Sequence, residues 1–327
     1  MSDKYGEITN VNFEDEEFTN HMNDMLHDNF NNIQLYLHCL ALCHTVMIEA
    51  GVEDQMKYQG SSPDELALVN AARLLKYVFK GRDINNIITL DINGQDFKFE
   101  CLNVLEYTSE RKKMSVVIKC PDGKIRLFTK GADTVIRKLI TLNKELVEIT
   151  DQHLLDFAHS GLRTLMIAYK EIPEHEYNEW NQKYLDAVNN PVMKDKLLPG
   201  VFDEIEKDLY LLGATAINDQ LQDEVSETLE ILSQAGIKIW MLTGDKMDTA
   251  KSIAYSCKLL TDDQEIIELR EGISAVDIRN ILLSGLENCL NSNGKFSLIV
   301  GMDELNIILK NPILLDEVNY IKSSITN

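Results

Sequence analysis

Hydrophobic residues recur at helical spacing in the first part of the chain. They do so over residues 31–49, and again over residues 64–77 after a Gly-Ser-Ser-Pro turn that ends at Pro63. A proline followed by the acidic residues Asp64 and Glu65 is typical of a first helical turn. The pattern predicts two core helices, and the acidic, asparagine-rich stretch over residues 1–30 predicts a tether or an edge before them.

The period then changes to one that is typical of strands. Three segments have strand-like composition: residues 97–108, 114–120 and 124–129. The turn Pro121-Asp122-Gly123 joins the last two of these segments. Helical patterns return in three further segments: residues 132–142, 151–158 and 174–188. We therefore predict an α+β domain with a mostly antiparallel sheet.

A different order of elements begins near residue 208. An apolar strand (209–217), a helix (223–234) and a second strand (237–242) lead to Thr243-Gly244-Asp245, which opens another helix. Strands and helices that alternate at this spacing predict a βαβ unit with a parallel sheet. We place the boundary near residue 205, which divides the chain into domains of residues 1–205 and 206–327. An apolar strand over residues 296–300 is predicted in the tail.

Composition indicates a folded, globular chain. The 327 residues are 44% hydrophobic and 26% charged, which suits two cores of ordinary size. A formal charge of −21 opposes nucleic acid and anionic membrane surfaces as general partners, so an anionic ligand must be met by a local site. The residues Met1-Ser2-Asp3-Lys4 do not show the apolar core that is typical of a signal peptide, and apolar runs such as residues 40–47 are far shorter than the about 20 residues of a membrane span. We expect a soluble, cytoplasmic, monomeric piece.

Two cysteines and two histidines in the run from His38 to His44 raise the question of zinc. On a helix, Cys39 and Cys43 share one face while the histidines point elsewhere, and no second ligand pair follows at zinc-site spacing. Buried free cysteine in an apolar helix is the commoner state. We interpret the pair as buried thiols, and the six scattered cysteines as indicating a reduced, cytosolic protein.

Three segments carry chemistry that suits a phosphate-bearing ligand. Thr243-Gly244-Asp245 precedes a helix, whose N-terminal amides attract phosphate, and Asp245 could face magnesium there. Lys130-Gly131-Ala132-Asp133 places a lysine at a strand end ahead of a helix. The run from Glu106 to Met114 places Tyr107 ahead of three cations, so the ring could stack on a base while the cations meet phosphates. Each segment alone also fits a plainer role, as an N-cap turn, a solvated lysine or a charged hairpin edge.

Taken together and in this order, these segments resemble the flippase branch of the P-type ATPases. The resemblance also includes Ser61-Ser62-Pro63-Asp64-Glu65, the arginine loop over residues 161–165 and a long run over residues 212–257. That run is similar to the second half of the phosphorylation domain and is highly specific. The resemblance spans about residues 30–310 and implies a nucleotide-binding domain followed by a partial α/β domain of the haloacid-dehalogenase-like, Rossmann-like class.

The resemblance implies a part in ATP binding for each matching residue. Tyr107 would stack on adenine, although many members have phenylalanine there, and Glu65 would orient the base or ribose. Lys112 and Lys130 would line the pocket. The other implied nucleotide-binding residues face the phosphates or, in the second domain, phosphate and magnesium: Arg163, Thr164, Thr243, Gly244 and Asp245. Without the resemblance, Tyr107 also fits strand packing, Glu65 a helix N-terminal charge and Arg163 a surface ion pair.

The chain also departs from the family pattern. The Asp-Lys-Thr-Gly-Thr segment that carries the phosphorylated aspartate does not occur, because Asp3-Lys4 is followed by Tyr5, and the later Gly-Asp-Gly segment is missing too. Ser226 stands where members commonly have proline, and residues 300–303 form an altered Ile-Asp-Gly turn. We therefore assign no catalytic and no metal-ligating residue to this chain, and expect it to be catalytically incomplete.

For the parent protein, the resemblance implies a phospholipid-transporting ATPase in a membrane. It would use ATP and Mg²⁺, form an aspartyl-phosphate and move lipid to the cytoplasmic leaflet, with a phospholipid substrate and an accessory β-subunit as partners. A second interpretation is a nucleotide-binding regulatory module from a degenerate ATPase-like region of a larger protein. A free-standing haloacid-dehalogenase-like phosphatase is disfavoured, because it needs the same nucleophilic aspartate.

Overall fold

A computed structural model describes residues 8, 10–49, 56–218, 221–244, 247–270, 272–291 and 295–324. In chain order, the strands are β1 (Met47–Glu49), β2 (Lys57–Gln59), β3 (Tyr77–Arg82), β4 (Ile87–Ile92), β5 (Gln95–Leu105), β6 (Lys113–Lys119), β7 (Ile125–Gly131), β8 (Arg163–Ile172), β9 (Tyr210–Ile217), β10 (Gln264–Leu269) and β11 (Lys295–Val300). The helices are α1 (Glu16–Asn23), α2 (Phe30–Leu42), α3 (Pro63–Leu74), α4 (Asp133–Ile136), α5 (Lys144–His159), α6 (Glu174–Val188), α7 (Lys194–Ile205), α8 (Val225–Gln234), α9 (Met247–Ser256), α10 (Ala275–Asn291), α11 (Met302–Lys310) and α12 (Pro312–Ser324). The chain divides into two compact units, one of Met1–Leu155 with Thr164–Ile217 and one of Asp156–Arg163 with Asn218–Asn327.

The first unit is built on a seven-stranded sheet with the order β3-β4-β5-β6-β7-β8-β9. Every neighbouring pair from β3 to β8 is antiparallel, and β1 and β2 form a separate antiparallel pair. The turn between β6 and β7 lies where the sequence predicted it, and Gly123 adopts a φ of +81° there. The prediction of an α+β domain with a mostly antiparallel sheet is confirmed.

Helices cover both faces of this sheet. Successive residues of a strand point to opposite faces, so Phe128 and Leu127, neighbours on β7, belong to two different apolar clusters. The cluster around Phe128 includes Val69 of α3, and the cluster around Leu127 includes Trp180 of α6. The strand ends between these helices are therefore held by a core on each side.

The two predicted N-terminal helices form, but both end before their predicted limits. Ser62 caps α3 by accepting a hydrogen bond from the Glu65 amide at 3.4 Å, and Pro63 opens the helix as expected. The prediction that helix extends to residues 49 and 77 is wrong, because β1 occupies Met47–Glu49 and β3 begins at Tyr77. Lys76 has a φ of +68°, which ends the helical path, and strand pairing then satisfies the backbone groups.

The apolar strand predicted to open the second domain lies instead in the first unit. β9 is the neighbour of β8 in the seven-stranded sheet. The Asn143 side chain bonds both backbone groups of Leu211, at 3.0 and 3.3 Å, and the Tyr36 hydroxyl donates to Ala214 O at 3.0 Å. The first compact unit therefore extends to Ile217, whereas the sequence placed the boundary near residue 205. The apolar pattern of residues 209–217 predicts a strand but does not identify the neighbouring strand, so the sequence could not assign β9 to a sheet.

In the second unit, β10 and β11 form a parallel pair, with Leu269 opposite Val300. Ile278 and Leu282 of α10 and Leu314 of α12 pack with Leu269 in its core. The predicted strand at residues 296–300 and the helices after residues 223 and 245 are present as β11, α8 and α9.

The strand predicted over residues 237–242 does not form. Those residues have irregular backbone, and Trp240 is 64% exposed. Parallel strands are found paired with neighbours and covered on both faces. The predicted partner of residues 237–242 was β9, which belongs to the seven-stranded sheet of the first unit. The predicted βαβ unit is therefore wrong at this point. In neither unit do the described residues include a helix with the length and apolar content that a bilayer crossing requires.

Candidate functional site

The strand ends that carry the predicted site residues of the first unit share one edge of the seven-stranded sheet. Leu105 at the end of β5 pairs with Ser115 near the start of β6, and Ser115 pairs with Thr129 near the end of β7. Thr129 in turn pairs with Ala168 of β8. The edge therefore collects the predicted residues of the strand ends and their loops: Tyr107, Lys112, Lys130 and Thr164.

Lys130 and Glu65 form a largely buried ion pair at this edge. Lys130 Nζ lies 2.7 Å from Glu65 Oε1, and the two side chains are only 7% and 13% exposed. Lys130 lies on β7, and Glu65 lies in the first turn of α3, where the helix dipole favours a carboxylate. The packing of α3 on the sheet thus brings together two predicted site residues that are distant in sequence.

Thr45 holds the other carboxylate oxygen of Glu65. Glu65 Oε2 accepts a hydrogen bond from the Thr45 amide at 3.0 Å and another from the Thr45 hydroxyl at 2.7 Å. Burial alone would raise the pKa of Glu65, but the Lys130 charge and these hydrogen bonds outweigh it and hold the pKa below its usual value. Glu65 is therefore ionised at neutral pH, with a partner on each oxygen. Sequence reasoning missed Thr45, whose one signal was its position directly after the His38–His44 run.

A buried neutral imidazole lies beside this pair. His44 Nδ1 accepts a hydrogen bond from the Val46 amide at 3.1 Å, so its proton is on Nε2, which donates to Ala41 O at 2.9 Å. Burial, and then the charge of Lys130, lower the pKa of His44 to about 4. Cys39 and Cys43 are buried free thiols, as predicted, that point at backbone carbonyls of β6 and β7.

The loop between β5 and β6 presents an aromatic ring to solvent. Tyr107 is 60% exposed. Lys112, near the end of the loop, has a φ of +51°, donates its amide to Thr108 O at 2.8 Å and accepts from the Ala132 amide at 2.9 Å. A Cβ on Gly131 would lie 2.7 Å from Lys112 O, so a glycine is needed for the loop to approach β7 this closely. The loop therefore ends against the strand that carries Lys130.

Only one of the three cations that follow Tyr107 is exposed to solvent. Arg111 and Lys113 both contact the fully buried carboxylate of Glu206, at 2.5 and 2.8 Å. Lys112 is exposed on the loop. The arrangement favours Lys112 over Arg111 and Lys113 for contact with an anionic ligand. The sequence could not distinguish the three cations, because Glu206 lies about 90 positions further along.

The remaining predicted residues are distributed over the two units. Thr164 is partly buried at the start of β8 in the first unit, while the division of the chain assigns Arg163 to the second. Thr243 and Gly244 are exposed in irregular backbone before α9 of the second unit, and Asp245 lies outside the described residues. The structure thus joins Glu65 to Lys130, and places Tyr107 and Lys112 on the adjoining loop.

This arrangement can bind a ligand that is flat at one end and anionic at the other. The exposed ring of Tyr107 offers a stacking surface. The ammonium of Lys130 offers a charge, and the ionised carboxylate of Glu65 accepts hydrogen bonds. The chain's overall negative charge makes such a local cationic group necessary for an anionic ligand.

The sequence also matches a known family of proteins. Residues 32–224 match the family model described as P-type ATPase, cytoplasmic domain N, which covers more than half of the chain. This chain therefore belongs to the P-type ATPase family. The match includes the whole seven-stranded sheet and the edge described above.

Relatives of this chain include proteins named phospholipid-transporting ATPases. The chain is 41% identical over 281 residues to a protein of Homo sapiens named probable phospholipid-transporting ATPase IM, and 43% identical over 265 residues to phospholipid-transporting ATPase IC of the same organism. A phospholipid-transporting ATPase of Schizosaccharomyces pombe is 46% identical over 245 residues. These alignments cover 86%, 81% and 75% of this chain. They cover 24%, 20% and 19% of the relatives, so the chain spans about a quarter or less of the length of each.

Proposed function

We propose that the first unit binds ATP at the sheet edge formed by the ends of β5 to β8. The main support for this proposal is the buried ion pair of Lys130 and Glu65, which lies next to a loop that presents Tyr107 to solvent. Tyr107 stacks on adenine and Glu65 accepts a hydrogen bond from the base or ribose. Lys130 and Lys112 supply positive charge, and Thr164 contacts the phosphates.

Binding requires Lys130 to share its ammonium between Glu65 and the nucleotide. The ion pair holds Lys130 Nζ in place before the ligand arrives, so little side-chain freedom is lost on binding. Thr45 keeps the carboxylate of Glu65 oriented while this happens, because it bonds the oxygen that Lys130 does not use. The site is therefore organised by the chain's own contacts.

We further propose that the parent protein is a phospholipid flippase of the P-type ATPase class. Relatives named phospholipid-transporting ATPases match across most of this chain, which supports a pump over a regulatory module of a degenerate ATPase. The second unit is then part of a haloacid-dehalogenase-like phosphorylation domain, in which Thr243, Gly244 and Asp245 face phosphate and magnesium. Magnesium bound with ATP would neutralise phosphate charge during transfer to an aspartate. The accessory β-subunit belongs to the same proposal.

Calorimetric titration of ATP and ADP into this chain, with and without Mg²⁺, tests the site. We expect weak saturable binding that is lost or reduced at least about fivefold in Tyr107→Ala and Lys130→Met, since base stacking and a charge-assisted bond each contribute about 1 kcal/mol or more. Lys80→Met is the matched control, because Lys80 also forms an ion pair on this sheet, with Asp96 at 2.8 Å. A folded wild-type chain that does not bind, or equal losses in Lys80→Met, would refute the proposed site.

A further inference from the structure

A fully buried carboxylate lies behind the loop that carries Tyr107. Glu206, the C-cap residue directly after helix α7, is 0% exposed. Its Oε1 accepts hydrogen bonds from Arg111 Nη2 and from Ser115 Oγ, each at 2.5 Å, and Lys113 Nζ lies 2.8 Å from its Oε2. A buried charge is tolerated only when paired and hydrogen-bonded, and here two cations and a hydroxyl compensate it.

Arg111 connects this carboxylate to the start of the loop. While Nη2 bonds Glu206, Nη1 donates to the backbone oxygen of Glu106, the residue directly before Tyr107. The guanidinium carbon lies 4.7 Å from the centroid of the Phe202 ring, which comes from the same helix α7. The planar fork of arginine suits this bridge, because its two terminal nitrogens can bond different acceptors at once.

The hydrogen bonds of Arg111 link the start of the β5–β6 loop to its end. The Arg111 side chain holds the Glu106 carbonyl, and the Arg111 amide donates to Thr108 Oγ1 at 3.2 Å. Tyr107 stands between these two anchor points and is 60% exposed, so its position depends mainly on the backbone that carries it. A loop without the bridge would sample more conformations, and only some of them would present the ring to the base.

We infer that Glu206 is a positioning residue for nucleotide binding: through Arg111, it orders the β5–β6 loop and holds Tyr107 where the base stacks. This inference rests on the proposed ATP site. It gives α7, which carries no predicted ligand-binding residue, a part in the affinity of that site. It also gives a reason why Arg111 and Lys113 both contact Glu206.

The test combines ATP affinity with hydrogen exchange on the full chain. The variants are Glu206→Gln and Arg111→Lys, each alone and in a Tyr107→Ala background, with Asp203→Asn as the control. Asp203 lies in α7 and pairs with Lys113 at 3.3 Å, but its side chain is 71% exposed. Arg111→Lys keeps the charge and removes the fork, so it carries the test if Glu206→Gln fails to fold.

We expect Glu206→Gln and Arg111→Lys to raise the ATP Kd about five- to tenfold, in proportion to the lost fraction of loop in the binding conformation. In the Tyr107→Ala background each change should raise Kd less than about twofold, since the ring they position is gone. Amides of residues 108–112 should exchange faster in both variants, while amides of β4 should not change. Asp203→Asn should match the wild type in every measurement.

Two outcomes would overturn the inference while leaving the proposed site standing. One is wild-type ATP affinity or unchanged loop exchange in folded Glu206→Gln and Arg111→Lys chains. The other is the same factor in Kd with and without Tyr107, which would indicate a general effect on the fold. A wild-type chain that binds no ATP would refute the proposed function and this inference with it. Normal ATP binding that Tyr107→Ala does not weaken would refute both the stacking role of the ring and this inference.

Discussion

Removing the Lys130 ammonium should leave a buried carboxylate without its counter-ion. The Glu65 side chain is 13% exposed and accepts two hydrogen bonds from Thr45, which we expect it to keep in Lys130→Met. Breaking a buried ion pair from one side typically costs about 3–5 kcal/mol, and bonds to a charged group retain about 1.5–3 kcal/mol each. We therefore expect a loss near the lower end of the first range, about 3 kcal/mol.

Removing both charges should cost less than removing one. The double variant Glu65→Gln, Lys130→Met buries no uncompensated charge, so we expect it to lose about 1 kcal/mol relative to the wild type. The coupling between the two positions in a double-mutant cycle would then be at least about 2 kcal/mol. Lys80→Met is the control, because the side chains of the Lys80–Asp96 ion pair are 28% and 51% exposed. This substitution should lower the free energy of unfolding by less than about 1 kcal/mol.

Urea unfolding measured by tryptophan fluorescence can follow the first unit separately. The chain has two tryptophans, of which Trp180 is 5% exposed in the first unit and Trp240 is in the second. A Trp240→Phe background leaves Trp180 as the reporter. Two results would contradict the argument: a loss below about 1 kcal/mol in Lys130→Met, or a double variant less stable than that single one.

Three further predictions concern the core of the first unit and use the same assay. Burial first, and then the charge of Arg126, lower the pKa of His38 from 6.5 to about 4, so its contribution to stability is present above pH 6.5 and is lost towards pH 4. Between these pH values the free energy of unfolding should fall by about 1.4 kcal/mol per pH unit because of His38. His38→Phe should reduce the slope of unfolding free energy against pH by that amount, and an unchanged slope would contradict the prediction. Leu127→Ala, at a fully buried position, should cost about 2–5 kcal/mol, and a loss under 1 kcal/mol would show that the cavity collapses. Gly131→Ala puts a methyl group 2.7 Å from Lys112 O, and should cost about 1–3 kcal/mol, whereas a neutral result would show that β6 and β7 separate freely.

Local patterns were sufficient for the elements of the first unit that carry their own signals. The Pro63 start of α3, the hairpin of β6 and β7 and the helix α6 all lie where turn residues and periodicity placed them. These features depend on residues a few positions apart, and their energies act in any folded context. The family resemblance implied that Lys130 and Glu65 belong to one pocket, but the sequence did not predict their ion pair, since the two are 65 positions apart.

The sequence by itself therefore determined the family, the α+β character of the first unit and most of the residues proposed to bind ATP. Tertiary structure alone decided which sheet includes β9, why residues 237–242 form no strand, that Thr45 bonds Glu65 and that Glu206 pairs with Arg111. The physical reason is the same in each case. Strand pairing and buried ion pairs are contacts between segments far apart in the chain, and their free energy depends on burial and geometry that no local pattern encodes.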